Sequence, residues 1–395
     1  MRRVQLLAAT ALLVVSSFGV ADAAGVAPSA SSITGRLACA RSIVSSWSLP
    51  RLANETVAVS VDAAHVGAMA PAAIAGFGGL LVFGGLAPLG FGPTVARLRA
   101  MSPPGTTMLV MTDEEGGGVR RLTNLVGAFP WAQTMGRQLR ANQIQSVGER
   151  VGRQLLAVGV NVDLAPVVDL DGRAVWPGPT DPDGLRSFGA SPALVASDAT
   201  AFATGLARAG VLAVVKHFPG LGGATGNTDN APAATRPWPE LRAGALAPYR
   251  AAFAAGVSAV MVANARVPGL SAEPASLSPS VMRVLRESLG FRGLIMTDAL
   301  SAVAISALGL SVPAAAVLAI GAGADLVLSG PLEPTASLAL ARATASALVH
   351  AVITGTFTRA TLDEAAAEVV AARLTGACPL NNVTARYVSA SRRRP

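Results

Sequence analysis

Residues 143–166, QIQSVGERVGRQLLAVGVNVDLAP, contain one full unit of the pattern that decides the fold. In the first part Ile144, Val147, Val151 and Leu155 recur at three- and four-residue steps, the spacing of one face of an amphipathic helix. From Gly159 the text changes to a short apolar run, GVNVDLAP, of strand length and bounded by Gly and Pro. Similar runs stand at 56–61 (TVAVSV), 79–83 (GLLVF), 107–112 (TMLVMT), 211–216 (VLAVVK), 257–263 (VSAVMVA), 293–297 (GLIMT) and 324–329 (ADLVLS). Together they make eight strand candidates. Between most of them lie helical stretches such as SPALVASDATAFATGLARAG (191–210) and SPSVMRVLRESLG (278–290). Apolar strands alternating with amphipathic helices imply a parallel sheet covered by helices. Eight such units predict an α/β fold, a (β/α)8 TIM-type barrel serving as a single catalytic domain. An open doubly wound sheet is the structural alternative, but no phosphate-binding glycine fingerprint follows the first run. The glycines of DEEGGGV (113–119) follow the third run and carry three acids, a poor surround for phosphate.

The chain has 395 residues, 51% hydrophobic and 14% charged, a globular composition with ample material for a large core. It opens with two arginines, an apolar stretch and Ala21-Asp22-Ala23, the order of a secretory signal peptide over 1–23. Residues 24–35, AGVAPSASSITG, read as a linker within an N-terminal extension over 24–50. The barrel is expected over 51–375 and a basic tail over 376–395. This organisation predicts a secreted or envelope-associated monomer that does not span a membrane once the signal is removed. In an exported chain the two cysteines, Cys39 and Cys378, predict one disulfide tying the two ends together. The formal charge is +8, but leaving out Arg2, Arg3 and the tail residues Arg392, Arg393 and Arg394 reduces it to about +3. That balance gives nucleic-acid binding little support.

In a β/α barrel the active site forms at the C-terminal ends of the strands. Asp113 follows VMT, Lys216 and His217 follow AVV, Asn264 follows MVA, and Asp298 follows IMT. Lys216 is the single lysine among 31 Lys+Arg, and it stands beside one of only three histidines. Each of these residues has a structural alternative: Asp298 as a helix cap, His217 as a hydrogen-bonded core histidine. As a set they combine carboxylates from different strands with an ammonium and an imidazole. Glycoside hydrolysis needs such a set, with one carboxylate at the anomeric carbon and another group handling the proton of the leaving oxygen. No Ser-His-Asp arrangement or nucleophile elbow is visible. His65, His217 and His350 match no metal-ligand spacing, and no cofactor is expected.

The motifs KHFPG (216–220), DEEGGGVRRL (113–122), GVNVDLAPVVDL (159–170), RSFG (186–189) and LGFRGLIMTDAL (289–300) resemble glycoside hydrolase family 3, in its single-domain β-N-acetylhexosaminidase branch. The resemblance covers roughly residues 55–330, and SLSP (276–279) agrees with it. It implies a retaining hydrolase on a β/α barrel, acting on a carbohydrate with β-linked N-acetylglucosamine, with Asp298 of TDAL as nucleophile. It also implies sugar-hydroxyl contacts from Asp113, Arg186, Lys216 and His217. The departure lies in one loop. The branch usually reads KHFPGHG and then DSH, whose Asp-His pair acts as general acid/base. Here Leu221 replaces one histidine, Asp229 remains in TDNA, and Asn230-Ala231 takes the place of the other histidine. Asn264 stands where a histidine is frequent.

Several readings stay open on this basis. Asp229 itself donates the proton, with a pKa raised by burial or by a neighbouring negative charge; or the acid comes from Asp181 or Asp183, or from a partner. Alternatively the protein is a carbohydrate binder with little or no turnover. A β-glucosidase is a further alternative, one whose larger family members draw a glutamate acid from a second domain.

Overall fold

The computed structural model describes residues 30–104 and 107–374. The expected signal peptide, the tail and Cys378, hence the expected Cys39–Cys378 bridge, lie outside the described residues. Every apolar run supplies strand: β1 Ala58–Asp62, β2 Gly79–Phe83, β3 Leu109–Thr112, β4 Val162–Asp163, β5 Leu212–Ala213, β6 Val215–Phe218, β7 Ala259–Val262, β8 Leu294–Ala299 and β9 Leu326–Leu328. One sheet runs β1-β2-β3-β4-β5 and a second β9-β8-β7-β6, all in parallel. Only Val214 separates β5 from β6, and its N–H donates to Asp163 and Ala165, so the ladder passes from one sheet toward the other. At the far edges Val57 bridges Val327 in parallel. Helices fill the crossovers, giving a TIM-barrel-like α/β fold.

The two-residue period of the strands sorts their side chains. Val59, Val61, Leu80, Val82, Val110, Val260, Val262 and Ile295 face the helices in one large core. Their alternates Ala58, Leu81, Leu109, Met111, Val162, Ala259, Met261, Leu294, Met296, Leu326 and Leu328 form a second cluster drawn from both sheets. Both faces of the strands are therefore apolar, which is why the runs read as continuous rather than alternating.

Residues 30–35, read from sequence as linker, begin a helix, Ala30–Val44. It is held by packing rather than by its own periodicity. Ala40 and Val44 are buried in the main core, and Arg41 pairs with Glu364 of the last helix, Arg359–Ala371. Pro334–Ile353 is long and apolar enough to cross a membrane, yet it packs on β1 and on helices Leu49–Glu55 and Val312–Ala322, burying Ala341, Ala345 and Leu348.

Beneath the last helix one guanidinium serves two buried acids. Arg286 lies 2.8 Å from Asp325 and 3.8 Å from Glu368. Burial and the charge of Asp325 push the Glu368 carboxyl up to about 8. The folded protein thus keeps a proton that the unfolded chain releases from its ordinary value near 4.5 upward, so stability falls as pH rises through roughly 4.5 to 8 and then levels. Glu368→Gln mimics the protonated form. It is expected to match the parent near pH 4 and to melt about 5 °C higher at pH 9, as read by thermal denaturation.

Candidate functional site

The C-terminal ends of the strands surround a cavity of about 610 Å³. Six of the residues singled out from sequence, Asp113, Arg186, Lys216, His217, Asp229 and Asp298, line it, whereas Asn264, Asp181 and Asp183 do not. Lys216 sits within β6 with 2% of its surface exposed, and its ammonium lies 2.6 Å from both Asp113 and Glu115. Glu115 also takes two parallel bonds from Arg186, at 2.7 and 2.8 Å. Burial alone would lower the Lys216 pKa, but Asp113 and Glu115 outweigh it and hold the ammonium above its ordinary value. Burial would likewise raise Glu115, and Arg186 and Lys216 together hold it well below the usual carboxylate range. The result is a fixed row of charges along one wall, with alternating sign.

His217 is oriented from behind. Its Nδ1 lies 2.8 Å from Asp169, whose carboxylate also accepts the backbone N–H groups of His217 and Leu221. A carboxylate only accepts and a guanidinium only donates. Nδ1 therefore carries the hydrogen, and Nε2 accepts from Arg186 at 3.4 Å. Donor atoms of Asp169, Asp183 and His217 lie within 4.8 Å of one another, a grouping invisible to sequence spacing because it joins three segments. The bonds just described occupy Asp169, while burial and the charge of Asp169 raise Asp183 well above its ordinary value. Asp181 is tied to Arg173 at 3.0 Å and accepts the N–H groups of Asp183 and Gly184. Neither Asp181 nor Asp183 is among the cavity-lining residues, unlike Asp229.

The Asp229 loop is anchored on several sides. At its neck Thr225 and Ala234 exchange bonds, and Ala233 and Thr235 pair with Arg266. At its tip Asn227 donates to Pro179, and the carbonyl of the buried Thr228 accepts from Ala304. Asp229 donates its backbone N–H to the Asn227 side chain. Its carboxyl, partly open to solvent, is pushed up by burial against the cavity wall and by the charge of Asp298. Leu221, which stands at a histidine position of the family pattern, is buried with Ala224, Ala263 and Ala265 in a small apolar cluster. Asn264 is buried too, donating to Ala299 and accepting from Ser276, so it braces the backbone next to Asp298. Asp298 itself lies in β8 and accepts from Ala299 at 2.7 Å. It caps no helix, because the next one, Val303–Ser306, starts after Ala302.

Glu115 and Asp169 were not singled out from sequence. The signal for Glu115 was its place in DEEGG, two residues after Asp113 and so on the same face of an extended segment. Asp169 ends the apolar run VV at 167–168, where a buried acid calls for a partner, but that partner lies 48 residues away.

In sequence, the chain is 39% identical over 229 residues to a protein named beta-hexosaminidase LpqI from Mycobacterium tuberculosis, covering 56% of this chain and 58% of that one. The chain thus aligns to little more than half the length of that relative. In structure it resembles a glycosyl hydrolase of the GH3 family from Mycobacterium smegmatis (TM-score 0.75, 33% identity, 84% of this chain and 99% of that one). It also resembles a beta-N-acetylhexosaminidase from Beutenbergia cavernae (TM-score 0.72, 31% identity, 82% and 98%). Residues 94–372 match the glycosyl hydrolase family 3 N-terminal domain, and the chain belongs to that family.

Proposed function

We propose that this protein is a retaining glycoside hydrolase that removes β-linked N-acetylglucosamine, with Asp298 as nucleophile and Asp229 as general acid/base. The observation that carries the reading is the pairing of Asp298 with a second, raised carboxyl, Asp229, across a cavity walled by the Asp113–Lys216–Glu115–Arg186 row. The Asp298 carboxylate attacks the anomeric carbon while Asp229 gives its proton to the departing oxygen, leaving a glycosyl ester. Asp229 then takes a proton from water, which attacks the same carbon, releases Asp298 and yields the sugar with its configuration retained. A carboxyl raised by burial and by an adjacent negative charge is suited to both halves of this cycle. Lys216 and Arg186 offer donors, and Asp113 and the Nε2 of His217 acceptors, for sugar hydroxyls.

Two further points belong to the same reading. The Val57–Val327 bridge and the shared interior cluster support one closed eight-unit barrel spanning roughly 51–375. The leader composition supports export and work on envelope or extracellular carbohydrate.

The test is hydrolysis of a panel of nitrophenyl β-glycosides by the parent and by Asp229→Ala. The N-acetylglucosaminide is expected to be the best substrate, with the glucoside far behind. Asp229→Ala is expected to slow alkyl glycosides, whose leaving groups need protonation, about 10²- to 10⁴-fold, and nitrophenyl glycosides much less. Equal loss on both would remove Asp229 from the acid role. Sugar binding without turnover on any substrate would make the protein a carbohydrate binder.

A further inference from the structure

The last two glycines of DEEGGGV, Gly117 and Gly118, have a use that the cavity chemistry does not explain. A Cβ on Gly117 would lie 1.9 Å from the Trp131 ring, and one on Gly118 would lie 2.8 Å from Trp131 and 3.1 Å from Trp176. Gly117 also has a φ of +56°, in the region that disfavours side chains. The bare backbone is thus a seat for two indoles, which meet edge to face with centroids 5.1 Å apart. Val119 and Pro177, the neighbours of Gly118 and Trp176 in the chain, both line the cavity, so the pair stands at its rim. Trp176 nevertheless has 70% of its surface exposed.

We propose that Trp176 is a binding platform for the second pyranose of a β-linked oligosaccharide whose first ring occupies the cavity. The inference rests on the reading of the cavity as a sugar site. An indole offers a large rigid apolar face at little cost in side-chain entropy, and a β-linked pyranose presents a matching face of axial C–H groups. The segment holding the ring is built in advance. Val175 accepts from Leu185 at 2.9 Å, Gly178 and Asp181 exchange backbone bonds, and Pro179 accepts from Asn227 of the Asp229 loop at 2.8 Å. Ordering that binding would otherwise impose is already present in the free protein. The last of these bonds also ties the platform to the segment that carries the acid, so aglycone and proton donor share one support. Binding energy from a ring remote from the reacting bond is then available to hold that bond in place.

The test uses the Asp298→Asn protein, so that bound sugar is not consumed. N,N′-diacetylchitobiose and free N-acetylglucosamine are titrated calorimetrically into this parent and into the same protein carrying Trp176→Ala or Trp176→Phe. Trp176→Ala is expected to reduce the ratio of disaccharide to monosaccharide affinity about tenfold, and Trp176→Phe to keep most of it. An unchanged ratio in Trp176→Ala overturns the platform and leaves the cavity reading standing. Failure of both sugars to bind the folded parent overturns the cavity reading, and the platform with it.

Discussion

Asp298→Asn is expected to lower kcat at least about 10⁴-fold while leaving the melting temperature unchanged. The amide keeps the shape of the carboxylate, and its oxygen can still accept the Ala299 N–H that the carboxylate accepts at 2.7 Å. What disappears is the negative charge and with it the ability to form the glycosyl ester. The same charge contributes to raising Asp229, so the variant has a second signature. With that neighbour neutral, Asp229 loses its proton at lower pH, and the basic limb of any residual activity shifts toward acid. A variant retaining more than a tenth of the parent kcat would exclude Asp298 as nucleophile. The pH profile separates this loss from simple misfolding.

Lys216→Ala is expected to damage both stability and activity, because the ammonium is the counter-ion of two carboxylates in a dry place. Without it Asp113 and Glu115 face each other with Arg186 bonded directly to Glu115 alone, and Arg121, 3.9 Å from Asp113, is too far and too exposed to substitute. Removing one partner from a buried ion pair costs about 3–5 kcal/mol, the penalty of the charges left behind. Denaturant unfolding should show a loss of that size, and kcat/KM should fall with it. Lys216→Arg should not restore either quantity. A planar fork cannot replace a point charge that sits 2.6 Å from two separate acids at 2% exposure. Wild-type stability in Lys216→Ala would show that the charge row contributes nothing to the fold.

The strands were legible because both their faces are apolar. TVAVSV, GLLVF and TMLVMT each end within a residue of the observed β1, β2 and β3, and Asp113 falls just past its strand as a barrel predicts. The cavity-lining residues at strand ends were legible for the same reason, since Asp113, Lys216, His217 and Asp298 close apolar runs and line the cavity, although Asn264, which closes another, turns to brace Ala299 instead. What escaped was whatever depends on distant partners. Nothing local marks Asp169 as the residue that orients His217, or Glu115 as the centre of a charge row fed by two other segments. Small residues misled in the other direction: the Ala/Ser text at 30–35 looks like linker because it has no apolar stripe, and its helix gains order only by docking Ala40 and Val44 into a core built from the other end of the chain. The Asp229 loop lies between these cases. Its glycines and small residues suggest freedom, while Asn227 and Thr228 fasten its tip through backbone bonds that leave no compositional trace.

The most direct test of the account is to trap the reaction halfway. The protein is incubated with a fluorinated N-acetylglucosaminyl fluoride that forms a glycosyl ester quickly and hydrolyses slowly, then digested, and the modified peptide is mapped by mass spectrometry. One covalently bound sugar per chain is expected, carried by the side chain of Asp298. A sugar on any other residue, or turnover that releases the inverted anomer with no adduct at all, would contradict it.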